Sequence, residues 1–143
     1  MLMKIVLDTS VVVAGLRSRN GASRLWLESA LERRYILLLS VPLVLQYEEV
    51  LLRPSNLAAF RLTPGEVCDL IDTFCSVAEP VELNYLWRPM LRDPDDEMVL
   101  ETAVLGRADR LLTFNVRDFM GAERASVTVE QPGPAWSKAK GKF

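Results

Sequence analysis

RDPDDEMVLETAVLGRADRLLTFNVRDF, residues 92–119, holds a helix and the strand it feeds. Asp93 followed by Pro94, Asp95 and Asp96 is a helix start: an Asx cap, a proline at the first helical position, and negative charge at the positive end of the dipole. Val99, Leu100 and Ala103 recur at helical spacing, and Gly106 stands where a glycine commonly ends a helix. Arg110 to Thr113 then reads as a short buried strand. Working outward, Lys4 to Leu7 is an apolar, β-branched run that stops abruptly at Asp8. Tyr35 to Leu39, Val77 to Leu83 and Val127 to Val129 supply three further strands. Between them lie helices: one capped by Thr9 or Ser10 and interrupted near Leu16 to Gly21, one over Ala22 to Arg33, and one from Ser40 and Pro42 to about Leu52, before Pro54. Another is opened by the capping box Thr63-Pro64-Gly65-Glu66 and carries Val67, Leu70, Ile71 and Phe74. Strands alternating with helices predict a parallel α/β sheet covered on both faces.

The chain has 143 residues, half of them hydrophobic and a quarter charged, which is one ordinary globular domain. That domain is expected over 1–130. Residues 131–143, with Pro132, Pro134 and three lysines, read as a loose basic tail. Histidine is absent, which excludes Ser-His-Asp and Cys-His catalysis and His-ligated zinc. Cys68 and Cys75, seven apart on one helix, are expected as buried free thiols beside its apolar stripe. MLMKIVLD lacks a signal-peptide layout, and the apolar stretch Tyr35 to Leu45 is too short to span a bilayer. The expectation is a cytoplasmic protein without a membrane partner.

Charge is segregated. Residues 1–63 carry eight basic and five acidic side chains, residues 64–105 two and ten, and residues 106–143 seven and four. An acidic middle flanked by Arg-rich ends suits a negative pocket with a basic rim, the arrangement that a phosphodiester backbone meeting a metal site requires. Solvated acidic helix faces give the same count.

In parallel sheets ligands sit at the carboxyl ends of the strands, and polar residues stand there: Asp8, Thr9 and Ser10 after the first strand, Thr113 and Asn115 after the fourth. An ionised Asp8 at the end of a buried strand needs a hydrogen-bonding partner or a metal; the same Asp-Thr-Ser also serves as a helix cap, and both readings stay open. Asp96 shares a helical face with Val99, Leu100 and Ala103, so it points to the sheet. Glu97 and Glu101 fall on another face and are expected in solvent. Asp93 reads equally as the helix cap. Asn115 and Asp118 are turn formers whose interest comes from converging with Asp8 at one sheet edge. Several carboxylates at one edge repel one another, and a hard divalent cation, Mg²⁺ or Mn²⁺, is the natural counter-charge.

VLDTS at 6–10, SVPLVLQYEEVLLRP at 40–54 and RDPDDEMVLETAVLGRADRLLTFNVRDF at 92–119 together resemble the PIN-domain family, on the branch of bacterial toxin–antitoxin ribonucleases called VapC-like. The resemblance runs from residue 4 to about 130. It implies a three-layer α/β/α sandwich with a central, mainly parallel sheet, and an acidic cluster that binds Mg²⁺ or Mn²⁺ to hydrolyse RNA. Matched by position, the family's first, third and last acids fall on Asp8, Asp96 and Asp118, with Ser10, Asn115 and Asp93 in supporting places. The second acid, a glutamate, falls on Gln46, a neutral amide that supplies an oxygen but no charge. Glu49, one turn on, is the expected replacement. Arg17, Arg19 and Arg117 are the expected RNA contacts, and a small antitoxin and a second copy of the chain the expected protein partners.

Two other functions compete. A PIN-like module that binds RNA or protein without catalysis would explain Gln46. An aspartyl phosphate on Asp8 fits the strand end, but LDTS lacks a second acid two residues on.

Overall fold

A computed structural model describes residues 2–83 and 89–142. The elements are β1 (Lys4–Leu7), α1 (Thr9–Arg17), α2 (Ala22–Leu31), β2 (Ile36–Leu39), α3 (Val41–Leu51), α4 (Pro54–Phe60), α5 (Pro64–Val77), β3 (Glu79–Pro80), α6 (Pro94–Leu105), β4 (Arg110–Leu112), β5 (Thr128–Glu130) and α7 (Pro132–Ala139), with short 3-10 turns after β4 and at the end. All strand pairs are parallel, in the order β3-β2-β1-β4-β5. The chain steps outward from β1 to β3, then crosses back over β1 to β4 and β5. Parallel crossovers keep one hand, so this reversal puts α6 on the face opposite the outward helices and makes the three-layer sandwich. It also opens a crevice where β1 and β4 lie side by side and their connections diverge.

Register follows from burial. Ile5 pairs with Leu37 on one side and Arg110 on the other, and Leu7 with Leu112. Ile5, Val6, Leu38, Leu111 and Leu112 are fully buried, as strands covered on both faces must be. Tyr47, buried on α3, donates its hydroxyl to the carbonyl of Leu7. That bond ties α3 to the last residue of β1, immediately before Asp8.

Four expectations require correction. Val77 to Leu83 is not a strand throughout: the stripe Val67, Ile71, Phe74 carries α5 to Val77, and only Glu79 and Pro80 pair at the sheet edge, where a missing proline N–H is tolerated. Cys68 and Cys75 are both exposed, because each sits one position past a buried residue of α5 and is rotated off the stripe. Gly106 does not supply the left-handed residue at the end of α6. Its φ is −81°, and Arg107 takes φ +57° instead. What needs glycine there is space, since a Cβ would lie 2.8 Å from both Leu38 Cδ1 and Val81 Cγ2.

The fourth concerns residues 131–143, which are not a loose tail. Pro132 starts a two-turn helix, α7, packed on α2. The Trp26 indole N–H donates to the Pro132 carbonyl at 3.0 Å, and Trp26 meets Trp136 edge-to-face at 5.2 Å between centroids. The prolines sit in the first turn of that helix, where they are compatible with it. Phe143 lies outside the described residues. Among the described residues no helix is long and apolar enough to cross a membrane.

Candidate active site at the strand ends

Asp8 follows β1 and is 6% exposed. Its backbone N–H donates to Leu112 O across the sheet, 2.9 Å. The side chain caps nothing on α1. Instead Oδ2 accepts the hydroxyls of Ser10, at 2.8 Å, and Thr113, at 2.7 Å. Both hydroxyls are themselves oriented by backbone donors: Phe114 N–H to Ser10 Oγ, 3.2 Å, and Asn115 N–H to Thr113 Oγ1, 3.0 Å. Among the described residues Oδ1 accepts no hydrogen bond, and it is not sealed from solvent. The cap reading of Asp8-Thr9-Ser10 is therefore excluded, because Thr9 donates to Gln46 Oε1 and Ser10 to Asp8.

Asp96 lies in the first turn of α6, half-buried. Its carboxyl is pushed up to about 6, first by burial and then by the negative charges of Asp93, Asp8, Asp118 and Asp95. Three segments distant in sequence thus bring carboxylates close enough to feel one another. Asp118 sits exposed on the 3-10 turn Val116–Phe119, fixed by its N–H to the Asn115 carbonyl at 2.9 Å. Phe119, buried beside it, anchors the turn. Asp93 does cap α6, accepting Asp95 N–H at 2.8 Å, and also faces the cluster. Asn115 contributes its backbone, while its side chain is exposed.

Gln46 is half-buried on α3, and its Oε1 accepts the hydroxyl of Thr9, the residue after Asp8. Glu49 does not take over. It lies opposite the buried stripe Leu43, Tyr47, Leu51, its side chain is 74% exposed, and it pairs with Arg53 at 3.6 Å. Glu97 is not in solvent either. It is 8% exposed and accepts the N–H groups of Met90, 2.8 Å, and Leu91, 2.6 Å.

Asp93, Asp96 and Asp118 open onto a cleft of about 560 Å³ lined also by Arg92, Arg117, Met90, Leu91 and Met120. Arg117 is where expected. Arg17 and Arg19 are not: they line a separate, larger groove between α1, α2, α4 and α5, and Arg17 donates to Asn56 Oδ1 at 3.0 Å. Sequence reasoning missed Arg92, although it directly precedes the helix cap, and noted Thr113 only as a polar strand end. Nothing in the sequence marked Met90 or Met120.

The donor set is hard oxygen with excess negative charge, which fits Mg²⁺ or Mn²⁺. Among the described residues no three acidic or thiol groups stand as a ready cage. An ion such as Mg²⁺ keeps several waters and takes only one or two carboxylates directly.

Residues 4–117 match the PIN domain family. The VapBC2 complex from Rickettsia felis, solved bound to a DNA fragment from its promoter, contains a chain of the same fold: TM-score 0.60 at 14% identity, over 90% of this chain and 98% of that one. Among curated proteins none matches. With that match spanning most of its length, and with a fold to suit, the chain belongs to the PIN-domain family.

Proposed function

We propose that the protein is a metal-dependent ribonuclease, the toxin of a toxin–antitoxin pair. The observation that carries the reading is the convergence of acids from three segments at the crevice between β1 and β4, Asp96 and Asp118 lining one cleft and Asp8 close enough for its charge to act on Asp96. PIN domains are nucleases as a class, and the structural relative is a toxin–antitoxin complex, which makes a small antitoxin the first partner to seek. A homodimer is proposed on the family resemblance alone.

One or two of Asp8, Asp96 and Asp118 would hold the cation directly, with waters completing its shell. When bound, such an ion supplies an activated water and neutralises charge on the phosphodiester. The chain's own groups do the rest. Ser10 and Thr113 fix the Asp8 carboxylate with Oδ1 left open, so no reorganisation is needed when a cation arrives. Gln46, held by Thr9, offers amide groups without adding repulsion. Arg92 and Arg117 set positive charge on the same cleft, where RNA phosphates would lie.

The test is cleavage of total RNA by purified protein with and without Mn²⁺, for wild type, Asp8→Asn and Asp96→Asn. Metal-dependent cleavage lost in both folded variants supports the reading; full cleavage by both overturns it.

One observation favours a second reading, a PIN module without catalysis. The second family acid is Gln46, and Glu49 is turned outward to Arg53. On that reading RNA or partner binding is indifferent to Mn²⁺ and to Asp96→Asn.

A further inference from the structure

Two large apolar residues that line the acidic cleft are exposed: Met120, 73%, and Met90, 43%. A single exposed methionine means little. Two that line one cleft together with Leu91, Arg92 and Arg117 give it an apolar slot beside positive charge. The two methionine-bearing segments meet at their backbone. Gly121, directly after Met120, has φ +107°, which lets the chain turn back, and a Cβ there would lie 3.9 Å from Met90 O. The Met90 side of the slot is fixed to the acidic site by α6 itself. Glu97, the neighbour of Asp96, is buried and holds the N–H groups of both Met90 and Leu91. One turn of helix therefore sets the spacing between an acid and the apolar wall.

We propose that this slot seats one unpaired nucleobase of the RNA, its face against Met90 and Met120 and its flanking phosphates beside Arg92 and Arg117. The proposal rests on the ribonuclease reading above and adds to it the residues that select the substrate. Methionine is polarisable and adapts to flat π surfaces of different outline. A base held by its face is accepted with little regard to identity, whereas a paired and stacked base cannot enter. The slot thus selects for an unpaired nucleotide and against a duplex.

The experiment measures binding, by fluorescence anisotropy, of fluorescein-labelled 12-nucleotide oligouridine, an abasic strand of the same length, and a 12-base-pair RNA duplex to the full chain. Variants are Met120→Ala, Met90→Ala, the double variant, and Arg117→Gln. Removing either methionine is expected to weaken oligouridine binding about five- to tenfold and to leave the abasic strand and the duplex unchanged, since no charge is altered. Arg117→Gln is expected to weaken all three alike. An oligouridine-to-abasic affinity ratio that is the same in wild type and the double methionine variant overturns the seat while leaving the ribonuclease reading standing. If none of the three binds wild-type protein, the ribonuclease reading and the seat fall together.

Discussion

The hydroxyl of Thr113 lies 2.7 Å from Oδ2 of Asp8, joining residues 105 positions apart across the crevice between β4 and β1. Thr113 is fully buried, and its oxygen in turn accepts the Asn115 N–H. Strand pairing sets this contact, because the last pair of the ladder is Leu7 with Leu112, one residue before each. The first acid of the site is therefore aimed by the sheet rather than by a loop.

Thr113→Val keeps the shape and removes the donor. A hydrogen bond to a charged group contributes roughly 1.5–3 kcal/mol, so a loss of about 10- to 100-fold in kcat is expected. Thr113→Ser should retain most of the rate. The check is the single-turnover rate on labelled RNA in Mn²⁺, with circular dichroism to show that the fold is kept.

Asp96 makes metal-free stability depend on pH. Its carboxyl titrates near 6 in the folded chain, against an ordinary value of 3.8. The folded state therefore holds a proton that the unfolded chain has released between about pH 4 and 6, and stability falls as pH rises through that window. Asp96→Asn removes this dependence. In EDTA its Tm should exceed that of wild type at pH 7 and converge with it below pH 4. Saturating Mn²⁺ should reverse the order at pH 7, since only the wild type gains from binding. Thermal melts at four pH values decide it.

Gln46→Glu should tighten Mn²⁺ binding, measured by calorimetry, and raise RNA cleavage at least severalfold. The carboxylate would stand where Thr9 already directs a donor. Glu49→Gln should change neither quantity, because Glu49 is exposed and paired with Arg53. Unchanged Mn²⁺ affinity in Gln46→Glu would remove position 46 from the site.

Trp136→Ala tests whether α7 belongs to the folded unit. It removes an edge-to-face partner of the fully buried Trp26 and part of the apolar contact between α2 and α7. A loss of about 2 kcal/mol is expected from the aromatic pair and the uncovered area together. Urea unfolding of the variant beside wild type measures it; a difference under a few tenths would make the segment dispensable.

Much of the fold was legible because the signals were local. Apolar runs ending in Asp8 or Thr113, the cap at Ser40, the capping box at Thr63 and Glu66, and the Asp93-Pro94 helix start are decided by residues within one or two turns. Two candidate acids stood out for the same reason, Asp8 at a strand end and Asp96 on an apolar helical stripe, whereas Asp118 lay in a turn. Where two local signals competed, the sequence could not rank them. Pro132 and Pro134 speak both for a loose segment and for a helix's first turn, and Trp26 chose the second by packing on α7. Cys68 and Cys75 lay at the edge of a stripe whose width depends on what packs against it.

What the chain alone determined is most of its elements, α7 and the extent of β3 excepted, and the positions of Asp8, Asp96 and Asp118 along them. The tertiary structure decided which polar groups meet. Asp8 turns from its own helix to Thr113, Glu97 leaves solvent to hold Met90 and Leu91, and Glu49 leaves the acids for Arg53. The physical reason is range. Propensity, capping and periodicity act over a few residues, whereas a buried carboxylate must find donors wherever the sheet order and the returning α6 bring them.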